Sequence, residues 1–105
     1  MNKDRRTTCN MLGKVCGAYD KTPANKVLFA LKDSVDDLIE TEQRSIEKME
    51  PHHDKPATKI NLRLAHLSKD HLEMASEALV DGDMIEASEQ LLIVGQGREE
   101  DYPND

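Results

Sequence analysis

The sequence predicts an all-α protein, an antiparallel helical hairpin completed by two shorter helices into a fold like a four-helix bundle. Three observations lead to this fold class. The chain is rich in the helix formers Ala, Leu, Met, Glu and Lys. Its apolar residues recur at steps of three and four, and β-branched runs are absent. A length of 105 residues fits one domain.

Two helices are expected in the first half of the chain. The first covers about residues 4–18, where Gly13 and Gly17 weaken the helix but permit close approach of a neighbouring one. The second begins at Thr22-Pro23, read as an N-cap hydroxyl followed by proline at the first helical position, and runs to about residue 49. The predicted apolar positions are Cys9, Met11, Leu12, Val15, Cys16 and Tyr19 in the first helix, and Leu28, Leu31, Val35, Leu38, Ile39, Ile46 and Met49 in the second.

A proline-rich connector at residues 51–56 should close the hairpin and make its two helices antiparallel neighbours. The third helix is expected over residues 56–80 and should end at Asp81-Gly82, with glycine just past the helix. Asp83 should cap a fourth helix over residues 84–94. The predicted apolar positions are Ile60, Leu64, Leu67, His71, Met74, Ala75, Ala78 and Leu79 in the third helix, and Ile85, Ala87, Leu91 and Leu92 in the fourth.

The domain boundary is expected near the end of the chain. Residues 1–96 should form a single helical domain, and residues 97–105 a disordered acidic tail because they combine low hydrophobicity with high charge. The formal net charge of −7 argues against general nucleic-acid binding, since an acidic chain repels phosphate backbones. The longest apolar run, Leu91-Leu92-Ile93-Val94, is too short to span a membrane, so we expect a cytoplasmic protein.

No residue constellation predicts a metal or a cofactor. His66 and His71 are five residues apart and do not share a helical face, and His52 and His53 are adjacent in a turn. Cys9 and Cys16 are too far apart along one helix for a disulfide, so we expect both to serve as small apolar packing groups. We therefore expect no metal site, no cofactor and no enzymatic activity.

One stretch offers an alternative. Residues 63–70, Arg-Leu-Ala-His-Leu-Ser-Lys-Asp, resemble the phosphoacceptor stretch of histidine phosphotransfer domains, which are small four-helix bundles with a helical H-x-x-K-G pattern. The resemblance implies that His66 would take the phosphoryl group from an aspartyl phosphate and that Lys69 would help to hold it. Asp70 departs from the pattern, which has a small residue there, and its carboxylate would repel the incoming phosphoryl group.

A second resemblance is to short helical-hairpin proteins of phages and mobile elements, which join a charged helix with a Glu-rich end to a returning Ala/Leu helix through a proline turn. The matching stretch runs from Glu40-Thr41-Glu42 to Met49-Glu50-Pro51. It implies a non-enzymatic protein-protein interaction module, an accessory or host-interfering factor of a mobile element, with a protein partner whose identity the sequence does not give.

Two further expectations concern packing. Glu42 lies in the apolar stripe of the second helix, so it should pair near Arg63, His66 or His71, or reach water at the edge of the helix seam. The hairpin helices should be longer than the two short helices can cover. Apolar surface left over along the hairpin should therefore favour a homodimer.

Overall fold

The computed structural model describes residues 1–97, and these form four α-helices in the predicted order. The helices are α1 (Lys3–Gly17), α2 (Asn25–Met49), α3 (Pro56–Val80) and α4 (Met84–Gly95), with a 3₁₀ turn at Glu50–His52. The predicted all-α class and the number of helices are confirmed, and so are the approximate bounds of the helices apart from the start of α2. The predicted acidic tail lies outside the described residues except for Gly97, which is buried.

The helices are arranged so that α3 lies between two neighbours. α2 packs on α3 as the predicted hairpin, α3 packs on α4, and α1 packs mainly on α4. The described part of the chain is elongated, with extents of 46 × 24 × 22 Å. Residues 50–57, at the closed end of the hairpin, are all exposed, so this end contributes nothing to the core. All four helices contribute to the main core cluster, which includes Cys9, Cys16, Leu31, Val35, Leu38, Leu72, Ala75, Leu79, Ala87, Leu91 and Val94.

The predicted helix ends in the second half of the chain are confirmed in detail. Pro56 occupies the first turn of α3, where its missing N–H costs nothing. Gly82 follows α3 with a φ of +73°, the left-handed conformation expected of a glycine that ends a helix. The carboxylate of Asp83 accepts a hydrogen bond of 3.0 Å from the backbone N–H of Glu86 and caps α4.

The predicted start of α2 is wrong. The helix begins at Asn25, and its N-cap residue Ala24 makes no side-chain hydrogen bond. The Thr22 hydroxyl instead donates a hydrogen bond of 2.9 Å to the carbonyl of Gly82, in the turn between α3 and α4. The Thr22 hydroxyl, predicted to cap α2, therefore joins the α1–α2 connection to the α3–α4 turn instead.

The predicted stripe of α3 is only partly buried. Ile60 and Met74 are exposed, whereas Leu72 and Ser68, which the stripe omitted, are completely buried. The difference arises because α3 contacts α2 and α4 at once, so it buries a wider and rotated face. Three positions predicted for the first helix, Met11, Val15 and Tyr19, are likewise exposed.

Close approach of α1 and α4 depends on small residues, as predicted for Gly13. A Cβ atom at Gly13 would lie 2.8 Å from Cγ of Leu92. The Ser88 hydroxyl uses this proximity to donate a hydrogen bond of 2.7 Å to the carbonyl of Gly13. The amide of Asn10 donates a second interhelical bond of 3.0 Å to the carbonyl of Gly95.

Candidate functional site

The most conspicuous surface feature is an apolar groove between the start of α2 and the end of α3. We call it the Phe29 groove; it has a volume of about 170 Å³ and is lined by Asn25, Leu28, Phe29, Lys32, Leu79 and Val80. Phe29 and Val80 are each 64% exposed, while Leu79 beneath them is fully buried. The groove therefore has a floor that belongs to the core and walls of apolar side chains open to solvent.

The helical periodicity explains why Phe29 is left outside the core. Leu28, Leu31 and Val35 follow the stripe that faces α3, and Phe29 is rotated about 100° from Leu28. α2 packs on α3 and has no comparable contact with α4 or α1. No other helix of the described chain is therefore placed to cover the side of α2 that carries Phe29.

A second cleft lies at the same end of the molecule, where the α1–α2 and α3–α4 connections meet. It has a volume of about 180 Å³, and its walls include Tyr19 and Ile85. Ile85, a predicted core position of α4, is 80% exposed. Thr22 and Gly82 both line this cleft, and the hydrogen bond between them holds the two connections together. Exposed apolar side chains from α2, α3, α4 and the α1–α2 connection thus gather at one end of the bundle.

At the polar edge of the Phe29 groove, an ion pair and a hydrogen bond meet at the Asp36 carboxylate. Lys32 Nζ lies 2.6 Å from Asp36 Oδ2, and the Ser76 hydroxyl donates a bond of 2.7 Å to Asp36 Oδ1 from α3. Partial burial raises the pKa of Asp36, but the hydrogen bonds from Lys32 and Ser76 and the charge of Lys32 outweigh it. The net effect holds the pKa of this carboxyl below its usual value. The network fixes the Lys32 side chain that lines the groove.

The structure places the two residues of the alternative site next to carboxylates. The His66 side chain is about half exposed, and its Nε2 lies 3.8 Å from Glu50 Oε1. Lys69 Nζ lies 3.5 Å from Glu73 Oε1, one helical turn further along α3. His66 is therefore accessible. However, a carboxylate lies beside His66 and another beside Lys69, the residue that would hold the phosphoryl group.

The other histidines and the cysteines have structural surroundings. Nδ1 of the buried His71 lies 2.6 Å from Gln90 Oε1, a bond that joins α3 to α4. Cys9 and Cys16 form no disulfide and are completely buried, in agreement with the predicted packing role. Burial raises the pKa of the Cys16 thiol more than a backbone hydrogen bond lowers it, which makes this thiol a poor nucleophile.

The described part of the chain contains neither a cluster of metal-ligating side chains nor a helix suited to a membrane. Within residues 1–97, no group of three or more His, Cys, Asp or Glu side chains is placed to hold a metal ion. Over the same range, no helix combines the length and apolarity needed to cross a membrane.

Glu42 is completely buried, so it does not reach water at the edge of the helix. It lines a cavity together with Leu64 and Ala65 of α3, and its predicted pairing near Arg63, His66 or His71 stays a prediction. The same cavity is lined by Arg5 and Arg6 of α1, two residues to which the sequence assigned no role. Their signal was indirect: two adjacent arginines three and four residues after the α1 N-cap Asn2.

Comparison of the chain with protein-family models, with curated proteins and with solved structures gave no match. The two resemblances drawn from the sequence therefore stay hypotheses that rest on short stretches of residues.

Proposed function

We propose that this chain is a non-enzymatic helical module that binds another protein, and that the Phe29 groove receives an apolar side chain of the partner. One observation carries the proposal: the chain's single phenylalanine stands 64% exposed beside an equally exposed Val80, over a groove with a buried floor. Aromatic side chains in well-packed pockets supply much of the binding energy at protein interfaces.

Folding leaves several large apolar side chains exposed to water. Complete burial of a phenylalanine side chain contributes about 1.5–3 kcal/mol. The core is thin, since only 3% of the chain is aromatic. Leaving Phe29, Val80 and Ile85 outside this core keeps their burial free energy available for a partner.

A second copy of the chain is the partner we propose first. Two grooves facing each other across a two-fold axis would bury Phe29 of each chain against the other, and two-fold contacts are the commonest among soluble oligomers. The net charge of −7 opposes such an association. Salt should screen this repulsion, so a homodimer held by apolar contacts should become tighter as ionic strength rises.

Light scattering at micromolar protein concentration and increasing salt tests the proposed homodimer. We expect a mass above the 11.8 kDa monomer that rises with concentration and salt and falls to the monomer in a Phe29→Ser variant. Phe29→Leu is the matched control, because it keeps an apolar side chain and should retain much of the association. A wild-type mass that stays at 11.8 kDa at all concentrations would exclude the homodimer.

If the chain is a monomer, we propose that the Phe29 groove binds a different protein. Asp20 and Asp83 line the neighbouring cleft together with a single basic residue, Lys21, and all three are exposed. The excess negative charge favours a partner with basic residues beside its apolar anchor. Its association should weaken with salt, opposite to the homodimer.

The alternative function, phosphoryl transfer through His66, is less well supported by its surroundings. Accessibility of the imidazole favours it, whereas Glu50, Asp70 and Glu73 put three carboxylates beside His66 and Lys69. A phosphoryl group would gain little from Lys69 while that side chain pairs with Glu73.

A further inference from the structure

A second site lies at the opposite end of α2 from the Phe29 groove. It is a partly open cavity of about 440 Å³ between the first turns of α1 and the adjoining segments of α2 and α3. Its polar lining includes Arg5, Arg6, Glu42, Ser45 and Asn61. Met49 and Leu64 add apolar surface to the same walls. Ligand sites commonly combine this range of volume with apolar walls and a few convergent polar groups.

The charge in the cavity favours an anion. Two guanidinium groups and one carboxylate give the side chains of the lining a formal charge of +1, and the positive end of the α1 dipole lies at the same place. Buried Nε of Arg5 finds no hydrogen-bond acceptor within residues 1–97. A buried donor without an acceptor is costly, so an anionic group of a ligand would lower the free energy of this arrangement.

The same residues restrict the kind of anion. A dianionic phosphate would give these side chains an excess of negative charge beside the Glu42 carboxylate, whereas one carboxylate balances their charge. Guanidinium groups also match the planar, two-oxygen geometry of a carboxylate. The apolar side chains of Met49 and Leu64 would contact a short hydrocarbon body. We propose that this cavity binds a small monocarboxylate with an apolar body, with Arg5 as its principal charged contact.

Hexanoate is a suitable probe, with hexanamide as a neutral control of the same length. Titration into ¹⁵N-labelled full-length protein should shift the backbone amides of Asn2, Arg5, Ser45 and Asn61 in a saturable way. Hexanamide should produce no saturable shift. Phenyl phosphate tests the dianion, and tighter binding of phenyl phosphate than of hexanoate would overturn the proposed ligand class.

Two variants test the assigned contacts. Arg5→Gln should weaken hexanoate binding at least about tenfold, because it removes a charge-assisted hydrogen bond. The matched control is Arg44→Gln, which removes the same charge from an exposed side chain of α2 that pairs with Glu40. Arg44→Gln should bind as the wild type does. Ser45→Leu fills part of the cavity without changing charge and should abolish binding even if Arg5→Gln does not fold.

Three results would overturn the proposal: no saturable shift with hexanoate, equal binding of hexanamide, or wild-type affinity in both Arg5→Gln and Ser45→Leu. The amide spectra of the free variants show directly whether each has kept its fold.

Discussion

The hydroxyl of Thr22 donates a hydrogen bond to the carbonyl of Gly82, over a distance of 2.9 Å and a separation of 60 residues in sequence. The bond joins the connection that leads into α2 to the turn that follows α3. Both flanking segments carry exposed apolar side chains, Phe29 after Thr22 and Val80 before Gly82. The bond therefore fixes the relative position of the two walls of the Phe29 groove.

Gly82→Ala should destabilise the protein by about 1–3 kcal/mol, because the φ of +73° disfavours any side chain with a Cβ. The new Cβ would also lie 2.8 Å from Cγ2 of Thr22. Urea denaturation measures the loss. Adding Thr22→Ser removes the methyl group but keeps the hydroxyl, so it should recover the steric part of the loss and leave the conformational part. An unchanged unfolding free energy in Gly82→Ala would contradict the left-handed turn.

Gly13→Ala and Gly17→Ala form a matched pair on one helix. At Gly13 the added methyl group meets the Leu92 side chain at 2.8 Å and the Ser88 carbonyl at 3.3 Å, so overpacking should cost about 1–3 kcal/mol. At Gly17 it meets chiefly the Ser88 hydroxyl at 2.9 Å, which can rotate away at the cost of its hydrogen bond to the Gly13 carbonyl. The gain in helix propensity, about 1 kcal/mol, should there offset most of the loss. Equal stabilities of the two variants would argue against the close packing of α1 on α4.

Phe29→Ala and Leu72→Ala should separate binding from folding. Leu72 is completely buried in the core, so its truncation should cost about 2–5 kcal/mol. Phe29 is largely exposed, and its truncation should change the free energy of unfolding by no more than about 0.5 kcal/mol. Measurements at submicromolar concentration keep any association out of the comparison. A large loss in Phe29→Ala under those conditions would make Phe29 a folding residue and remove the main support for the docking proposal.

Asp36 should make stability depend on pH at the acidic end. Its folded-state pKa lies below its ordinary value of 3.8, so its contribution is present above that value and is lost as pH falls through the lower folded pKa. The side chain is 42% exposed and solvent screens it, so the contribution should stay below about 1 kcal/mol. The stability difference between wild type and Asp36→Asn should therefore be present at neutral pH and shrink below about pH 4. A difference that grows on acidification would reverse the assigned direction.

Phosphoryl transfer has a direct test. We expect the intact mass to remain unchanged after incubation with the small phosphodonor phosphoramidate, because carboxylates adjoin both His66 and Lys69. A stable increase by one phosphoryl group that disappears in His66→Gln would contradict this and favour the alternative function. His53→Gln is the control for the exposed histidines at the closed end of the hairpin.

The sequence by itself determined the features that depend on residues close together in the chain. The bounds of α3 follow from Pro56 and Gly82, and the start of α4 follows from the Asp83 cap, because these signals act within one helical turn. The hairpin follows from the short connector between two long amphipathic helices. The freedom of both cysteines from a disulfide also follows from their spacing along α1.

Only the tertiary structure decided which face of each helix is covered. α3 buries Leu72 and leaves Met74 exposed because it has two neighbours, and no periodicity within α3 specifies the second one. The Thr22 hydroxyl joins Gly82 rather than capping α2, since the partner lies 60 residues away. The cavity that contains Arg5 and Glu42, and the groove that contains Phe29, likewise arise from packing between segments distant in sequence.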